Sequence, residues 1–317
     1  MNDSAGRQAK PRSESSEQRR REKIQRLSGE LRTEQRSLWS DAWHHFMRHR
    51  LALASLVALV IMSISIIVGP AVIPYDADQI DFTTKSQPPS LAHPLGTDEL
   101  GRDQLIRILE GGRISLAVAL AAVSVAMTLG VLIGAVAGYA GGLVDNVLMR
   151  LVDVFYSMPG LFVLILLVTI IGPGFLTIVV ALGILRWMGT ARLVRASFLS
   201  LKEKEFVESA RAVGAGRTRI IFRHILPNAL SPIIVAATLG IAGAILTESA
   251  LSFLGLGFQP PQATWGRMLQ EAQRSILNEG HWWRGVFPGL MIFITVIAVN
   301  FIGDGLRDAV DPRRTQG

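Results

Sequence analysis

The sequence predicts an all-α polytopic membrane protein with six transmembrane helices and an exposed helical loop between the fourth and fifth. Three observations carry that expectation. Half of the 317 residues are hydrophobic and mean hydropathy is +0.37, an apolar content that soluble domains of this size rarely carry. The apolar residues gather into blocks of about 20, the length that crosses a bilayer core as a helix. The basic residues gather between those blocks on one predicted side of the membrane.

The net charge of +7 resides largely in an N-terminal tail (Arg19, Arg20, Arg21, Lys23, Arg26) and between Arg186 and Arg223. A positive-inside bias accounts for both clusters, so the lipid bilayer is an expected partner and nucleic acid is not. The chain has no Cys, which excludes disulfides, thiolate metal sites and Cys nucleophiles. The first apolar run begins near Leu51, after a long charged tail. It therefore reads as a retained anchor and not a cleaved signal.

Residues 1–37 are rich in Arg, Glu, Ser and Gln and read as a disordered basic cytoplasmic tail. Residues 38–74 hold an aromatic and basic stretch (Trp39, Trp43, His44, His45, Phe46, Arg48) and then span one, Leu51 to Val72. That stretch fits either an interfacial helix or the snorkelling flank of the span. Pro70 and Pro74 mark the span's outer end. Residues 75–112 form a polar loop with Asp76, Asp78, Asp81, Asp98, Glu99, Asp103 and Glu110 against Lys85, Arg102 and Arg107. Its scarcity of Lys and Arg places it outside. Asp98 and Asp103 suit a cation or a turn, with the turn preferred.

Residues 113–306 carry five further spans. Span two, Ile114 to Tyr139, has Gly130, Gly134, Gly138 and then Gly142 at intervals of four, a stripe where another helix can approach closely. Span three, Asn146 to Ile171, carries an Arg150–Asp153 pair, and Pro159 should kink it. Span four is short, Phe175 to Leu185. It works if Arg186 snorkels, or if the helix continues through Trp187 and Arg192 into the interface. Span five, Leu230 to Leu256, ends at Gly257 to Pro261, and Trp265, Trp282 and Trp283 beyond it read as interface anchors. Span six is Val286 to Gly303, and residues 307–317 form a cytoplasmic tail. Six spans place both termini on the cytoplasmic side.

The loop at 201–228 has helical periodicity. Phe206, Val207, Ala210 and Val213 make one apolar stripe, with Glu205, Glu208 and Arg211 elsewhere on the helix. Gly214 and Gly216 permit the left-handed conformation that stops a helix. A second stripe, Ile220, Ile221, Ile225 and Leu226, follows with Arg217, Arg219 and Arg223 outside it. Pro227 disfavours helix at Leu226 and closes the unit. The expected product is a short helical hairpin on the cytoplasmic face. On periodicity alone it is equally an ordinary connector.

Glu208-Ser209-Ala210, then Gly214, then Ile225 before Leu226-Pro227, resembles the EAA loop of ABC-importer permeases, with Ser209 in place of the middle Ala. His93-Pro-Leu-Gly-Thr-Asp-Glu-Leu-Gly-Arg-Asp103, Thr247-Glu-Ser-Ala-Leu-Ser-Phe-Leu-Gly-Leu-Gly257 and Asp304-Gly-Leu-Arg-Asp-Ala-Val-Asp-Pro312 are similar to segments of the dipeptide, oligopeptide and nickel branch. The stretch before span one resembles the N-terminal extension of its C-type subunit. The likeness covers about Trp39 to Arg313.

The resemblance implies a type I importer permease in the bacterial inner membrane. It forms half of a pathway completed by a second, homologous permease. Two cytoplasmic ATPase domains would bind ATP and Mg, and an external binding protein would deliver di- or oligopeptides. It implies that Glu208, Ser209, Ala210, Gly214, Ile225, Leu226 and Pro227 couple to the ATPase. The chain itself has no G-x-x-x-x-G-K-[ST] phosphate loop, so no cofactor is expected on it and it is not expected to be an enzyme. The same architecture would serve nickel, an opine or an oligosaccharide. A self-sufficient carrier or channel is the rival of another class, but carriers usually show ionisable relays in several spans, and here Glu248 is the clear mid-span charge. Glu248 shares a face with Ala236, Gly240, Ala244 and Ser252. A carboxylate at mid-membrane costs roughly 2.5–3.5 kcal/mol, so it bonds a neighbouring helix or lines the pathway. The scattered His residues form no metal constellation, and no Ser/His/Asp arrangement supports catalysis.

Overall fold

The computed structural model describes residues 38–310, and all regular structure there is helical. The expectations for 1–37 and for 311–317 fall outside the described residues. Helix α1 (Leu38–Arg48) meets α2 (Arg50–Val72) at His49, whose Nδ1 accepts the Ala52 amide at 3.1 Å and caps α2. Phe46 of α1 is buried. It packs on α10 (Trp283–Val310) at Gly305, where a Cβ would stand 3.3 Å from its ring.

Span two is α3 (Gln104–Ala140), which begins ten residues before its expected start. Asp103 caps it by accepting the Ile106 amide at 3.0 Å. Its glycine stripe packs on α6 (Phe175–Leu201). A Cβ at Gly130 would lie 2.5 Å from Thr190 Cβ, one at Gly134 would collide with Ala191 O, and one at Gly138 would lie 2.6 Å from Phe198 Cβ. The helices meet backbone to backbone there. Gly142 does not belong to the stripe. The helix ends at Ala140, and Gly141 (φ 67°) and Gly142 (φ 54°) turn the chain with nothing near Gly142.

Span three is broken and not merely kinked. Helices α4 (Gly142–Tyr156) and α5 (Gly160–Ile171) meet at 79° across Pro159. Asp153 lies 4.0 Å from Arg150, but its close partner is Arg192 of α6 at 2.7 Å. Asp145 takes two bonds from Arg195, including one of 2.6 Å to Nη2. Span four resolves as the longer alternative: α6 runs 27 residues, through Trp187 and Arg192.

The hairpin comprises α7 (Glu205–Ala212) and the start of α8 (Arg217–Phe253), which also forms span five. Helix α9 (Trp265–Glu279) lies at the opposite end of the bundle and leads to α10. Trp265 and Trp283 are not interface anchors. Both are buried, with Trp265 Nε1 donating to Ile108 O at 2.9 Å and Trp283 Nε1 to Thr97 O at 3.3 Å. Only Trp282 of the three is exposed. An aromatic-rich loop reads as a surface anchor, but an indole with an internal carbonyl partner is stable in the interior. Among the described residues, five helices are long and apolar enough to span a bilayer, and α4 with α5 makes a sixth if the bent pair is one span.

Candidate functional site

Helix α7 is keyed to the bundle by one small face. Val207 and Ala210 are buried. Val207 joins Val194 and Phe198 of α6 and Ile220, Ile225, Ala229 and Ile233 of α8 in one apolar cluster. The rest of the predicted stripe turns away: Phe206 is 40% exposed and Val213 is 84% exposed. The stripe is wider than the surface beneath it.

The helix stops through two backbone bonds, Ala215 N to Ala210 O at 3.0 Å and Gly214 N to Arg211 O at 2.9 Å, with Gly214 at φ 81°. That is the Schellman arrangement, which needs a left-handed residue and so favours glycine. Gly216 does not share this role. Its φ is −67°, an extended residue ahead of the next helix.

Pro227 does not close the unit. Leu226 is helical (φ −57°, ψ −43°), and the chain runs through it into span five. A wide turn over Ile220–Ile225, in which Leu226 N donates to Ile221 O, precedes the proline. Widening the turn gives the ring room against the preceding carbonyls. Asn228 Nδ2 then donates to His224 O at 2.6 Å. The second arm of the hairpin is therefore the end of span five itself.

Between the arms lies an open groove of about 470 Å³, lined by Phe206, Ser209, Ala210, Val213, Gly214 and His224 among others. Of the seven candidate residues, Ser209, Ala210 and Gly214 line it. Glu208 stands exposed beside it and Pro227 is exposed farther along the chain, while Leu226 is half-buried and Ile225 fully buried. Arg219 lines the groove, and Arg211, Arg217 and Arg223 are exposed on the same segment. An apolar patch with a polar rim is the anatomy of a protein contact.

Glu248 lies toward the other end of α8, five residues from Phe253, and is fully buried. Its Oε1 accepts from Ser252 Oγ at 2.7 Å and its Oε2 from Ser115 Oγ of α3 at 3.4 Å. Ser115 Oγ in turn accepts the Trp265 amide at 3.3 Å. The carboxyl group thus joins α3, α8 and α9.

At the same end, Asp98 accepts from the amides of Leu100 and Arg102 and from Arg102 Nε at 2.7 Å. Asp103 caps α3 and bonds His93 Nδ1 at 2.8 Å. Both are committed to donors of the loop and of the first turn of α3. In that loop, the Thr83 hydroxyl and amide hold the Asp81 carboxyl below the usual carboxylate range. Arg107 reaches Glu271 of α9 at 3.1 Å, and Arg284 of α10 reaches Glu99 at 3.3 Å. Among the described residues, no group of three or more His, Cys, Asp or Glu could hold a metal.

Arg186 is the functional candidate that sequence reasoning missed. It does not snorkel; its guanidinium lies on α8 at Gly243. A run too short for a span suggested an end, whereas Gly243 and Thr247 on the facing helix were the available signal.

Fold and hairpin together define a polytopic helical membrane protein with an open groove at one end of its bundle. The profile of the family described as "Binding-protein-dependent transport system inner membrane component" matches residues 130–316, and the chain belongs to that family. Residues 37–89 match the "N-terminal TM domain of oligopeptide transport permease C". The chain is 44% identical to the Bacillus subtilis dipeptide transport system permease protein DppC over 87% of this chain and 86% of that protein. It is also 44% identical to the Escherichia coli K12 oligopeptide transport system permease protein OppC, over 92% of this chain and 97% of that one. Among solved structures, an inward-facing MetNI methionine ABC transporter chain aligns with a TM-score of 0.53 at 20% identity, over 64% of this chain and 96% of that one. That likeness concerns the fold.

Proposed function

We propose that this chain is half of the translocation pathway of a bacterial importer for di- and oligopeptides, driven by a separate ATPase that docks on the hairpin groove. The observation that carries the reading is the groove itself: open, with Phe206, Val213 and Arg219 in its lining, on a helix that Val207 locks into the spans. The peptide assignment is supported by the names of relatives at 44% identity over most of both chains. On this reading the hairpin, the tail at 1–37 and the C-terminus face the cytoplasm. A second permease, two ATPase domains and an external binding protein complete the machine. ATP and Mg sit on the ATPase, and this chain does no catalysis.

The mechanics follow from two features. Val207 packs α7 against Val194 and Phe198 of α6 and Ile220 and Ile225 of α8, so a displacement of α7 moves both spans. Helix α8 is continuous from Arg217 to Phe253, so it carries that displacement along its length to the Glu248 junction. Closure of the ATPase pair then tilts packed helices between inward-open and outward-open arrangements.

The test is uptake of labelled di- and oligopeptides by cells with and without this chain. Loss of uptake on deletion supports the assignment. Unchanged uptake of every peptide discards the substrate class while leaving the architecture.

A further inference from the structure

We propose that Arg186 is the anion-binding point of the pathway and takes the terminal carboxylate of a peptide; this rests on the peptide-import reading above. Arg186 lies about 16 Å along α6 from Phe175, and Gly243 about 15 Å along α8 from Phe253. Measured from those two helix ends, each stands about half the thickness of a roughly 30 Å hydrocarbon layer along its helix. The guanidinium rests on the bare backbone of Gly243, where a Cβ would collide with Nη2.

The arginine is poorly satisfied there. Nη1 donates to Thr247 Oγ1 at 3.4 Å, and Thr247 spends its own proton on Gly243 O at 2.7 Å. Among the described residues Arg186 has no ion-pair partner, although a guanidinium carries five N–H donors. If its role were only to pin α6 to α8, a closer acceptor would face it.

The group lines a cavity of about 280 Å³ between α3, α6 and α8, walled by Val123, Met127, Gly189, Thr190 and Gly240 among others. No carboxylate lines it. Thr190 adds a hydroxyl whose partner is Met127 Sδ at 3.9 Å. Gly189 is open, with nothing within 4 Å of a Cβ placed there. A half-buried cation at this depth does not face lipid; such residues face the bundle interior or a watered cavity. The ligand that matches the free donors is a carboxylate, which a guanidinium holds through two parallel bonds.

The absence of Cys gives a direct test. Gly189→Cys is made in the otherwise unchanged chain, in membrane vesicles holding the assembled transporter. The thiol is labelled with sulfonate-bearing and with trimethylammonium-bearing methanethiosulfonate reagents. The expected result is a preference of about tenfold for the anionic reagent, abolished when Arg186→Gln is added. A peptide with a free carboxylate slows labelling, and its C-terminal amide does not. Equal rates for the two reagents, no labelling by either, or equal protection by both peptide forms overturns the proposal. Peptide uptake by the unsubstituted transporter is measured in parallel. Its absence would reject the peptide reading itself, whereas normal uptake with charge-indifferent labelling of the Gly189→Cys thiol would reject only the role of Arg186.

Discussion

Val207 and Val213 stand six residues apart around one short helix, yet Val207 is fully buried and Val213 is 84% exposed. The same side-chain type is spent on two different surfaces. One fastens α7 to the spans, and the other lines the open groove.

Opposite outcomes are therefore expected from one chemical change. Val207→Asp buries an unpaired charge and should prevent a stable fold, with little protein recovered from the membrane. Val213→Asp should leave the melting temperature within about 2 °C, since exposed substitutions cost within about 0.5 kcal/mol, yet abolish co-purification of the ATPase. Thermal unfolding and pull-down on the same preparations check both.

The α3–α6 contact should not tolerate side chains at its glycines. Gly134→Val places atoms against Ala191 O and should destabilise the chain by about 1–3 kcal/mol or more. Gly189→Ala, which meets open space, should be nearly neutral. Comparing thermal unfolding of the two in detergent decides it.

For Glu248, Gln keeps a carbonyl and an amide for Ser252 and Ser115, while Leu strands two buried hydroxyls at about 1–3 kcal/mol each. Glu248→Gln should assemble and transport near normally, and Glu248→Leu should lose both. A Glu248→Gln protein that assembles fully but no longer transports would point to a pathway role instead. Assembly is read by size-exclusion of the complex and transport by peptide uptake.

At the end of the bundle away from the hairpin, Glu271→Gln should weaken the hold of α9 on α3. It removes the carboxylate 3.1 Å from Arg107, whose side chain is 2% exposed. Arg107 keeps Asp98 at 3.6 Å, so the cost stays below the about 3–5 kcal/mol of leaving a buried charge unpaired. Faster proteolysis within 265–279 and a lowered melting temperature are the expected readouts.

Much of this was legible in the sequence. Blocks of apolar residues located the spans, and the spacing of Gly130, Gly134 and Gly138 located the α3–α6 face, because close helix approach demands small residues at one period. The Glu208 to Gly214 spacing located the hairpin. What the sequence misjudged depended on partners distant in the chain. Pro227 reads locally as a stop, but a widened turn upstream accommodates it. Trp265 and Trp283 read as surface aromatics until the carbonyls of Ile108 and Thr97 are found opposite them. Arg186 reads as the end of a short span, because only the fold reveals Gly243 beneath its guanidinium.

The most direct measurement exploits the missing cysteines. Ser209 is exposed on the groove. A Ser209→Cys chain, co-expressed with the ATPase of its own transporter carrying single cysteines across its surface, is oxidised in intact membranes. A crosslinked permease–ATPase product is expected, changing in yield when ATP is trapped on the ATPase. Labelling of the introduced thiol from the external side of sealed cells, with no crosslink to any ATPase position, would contradict it.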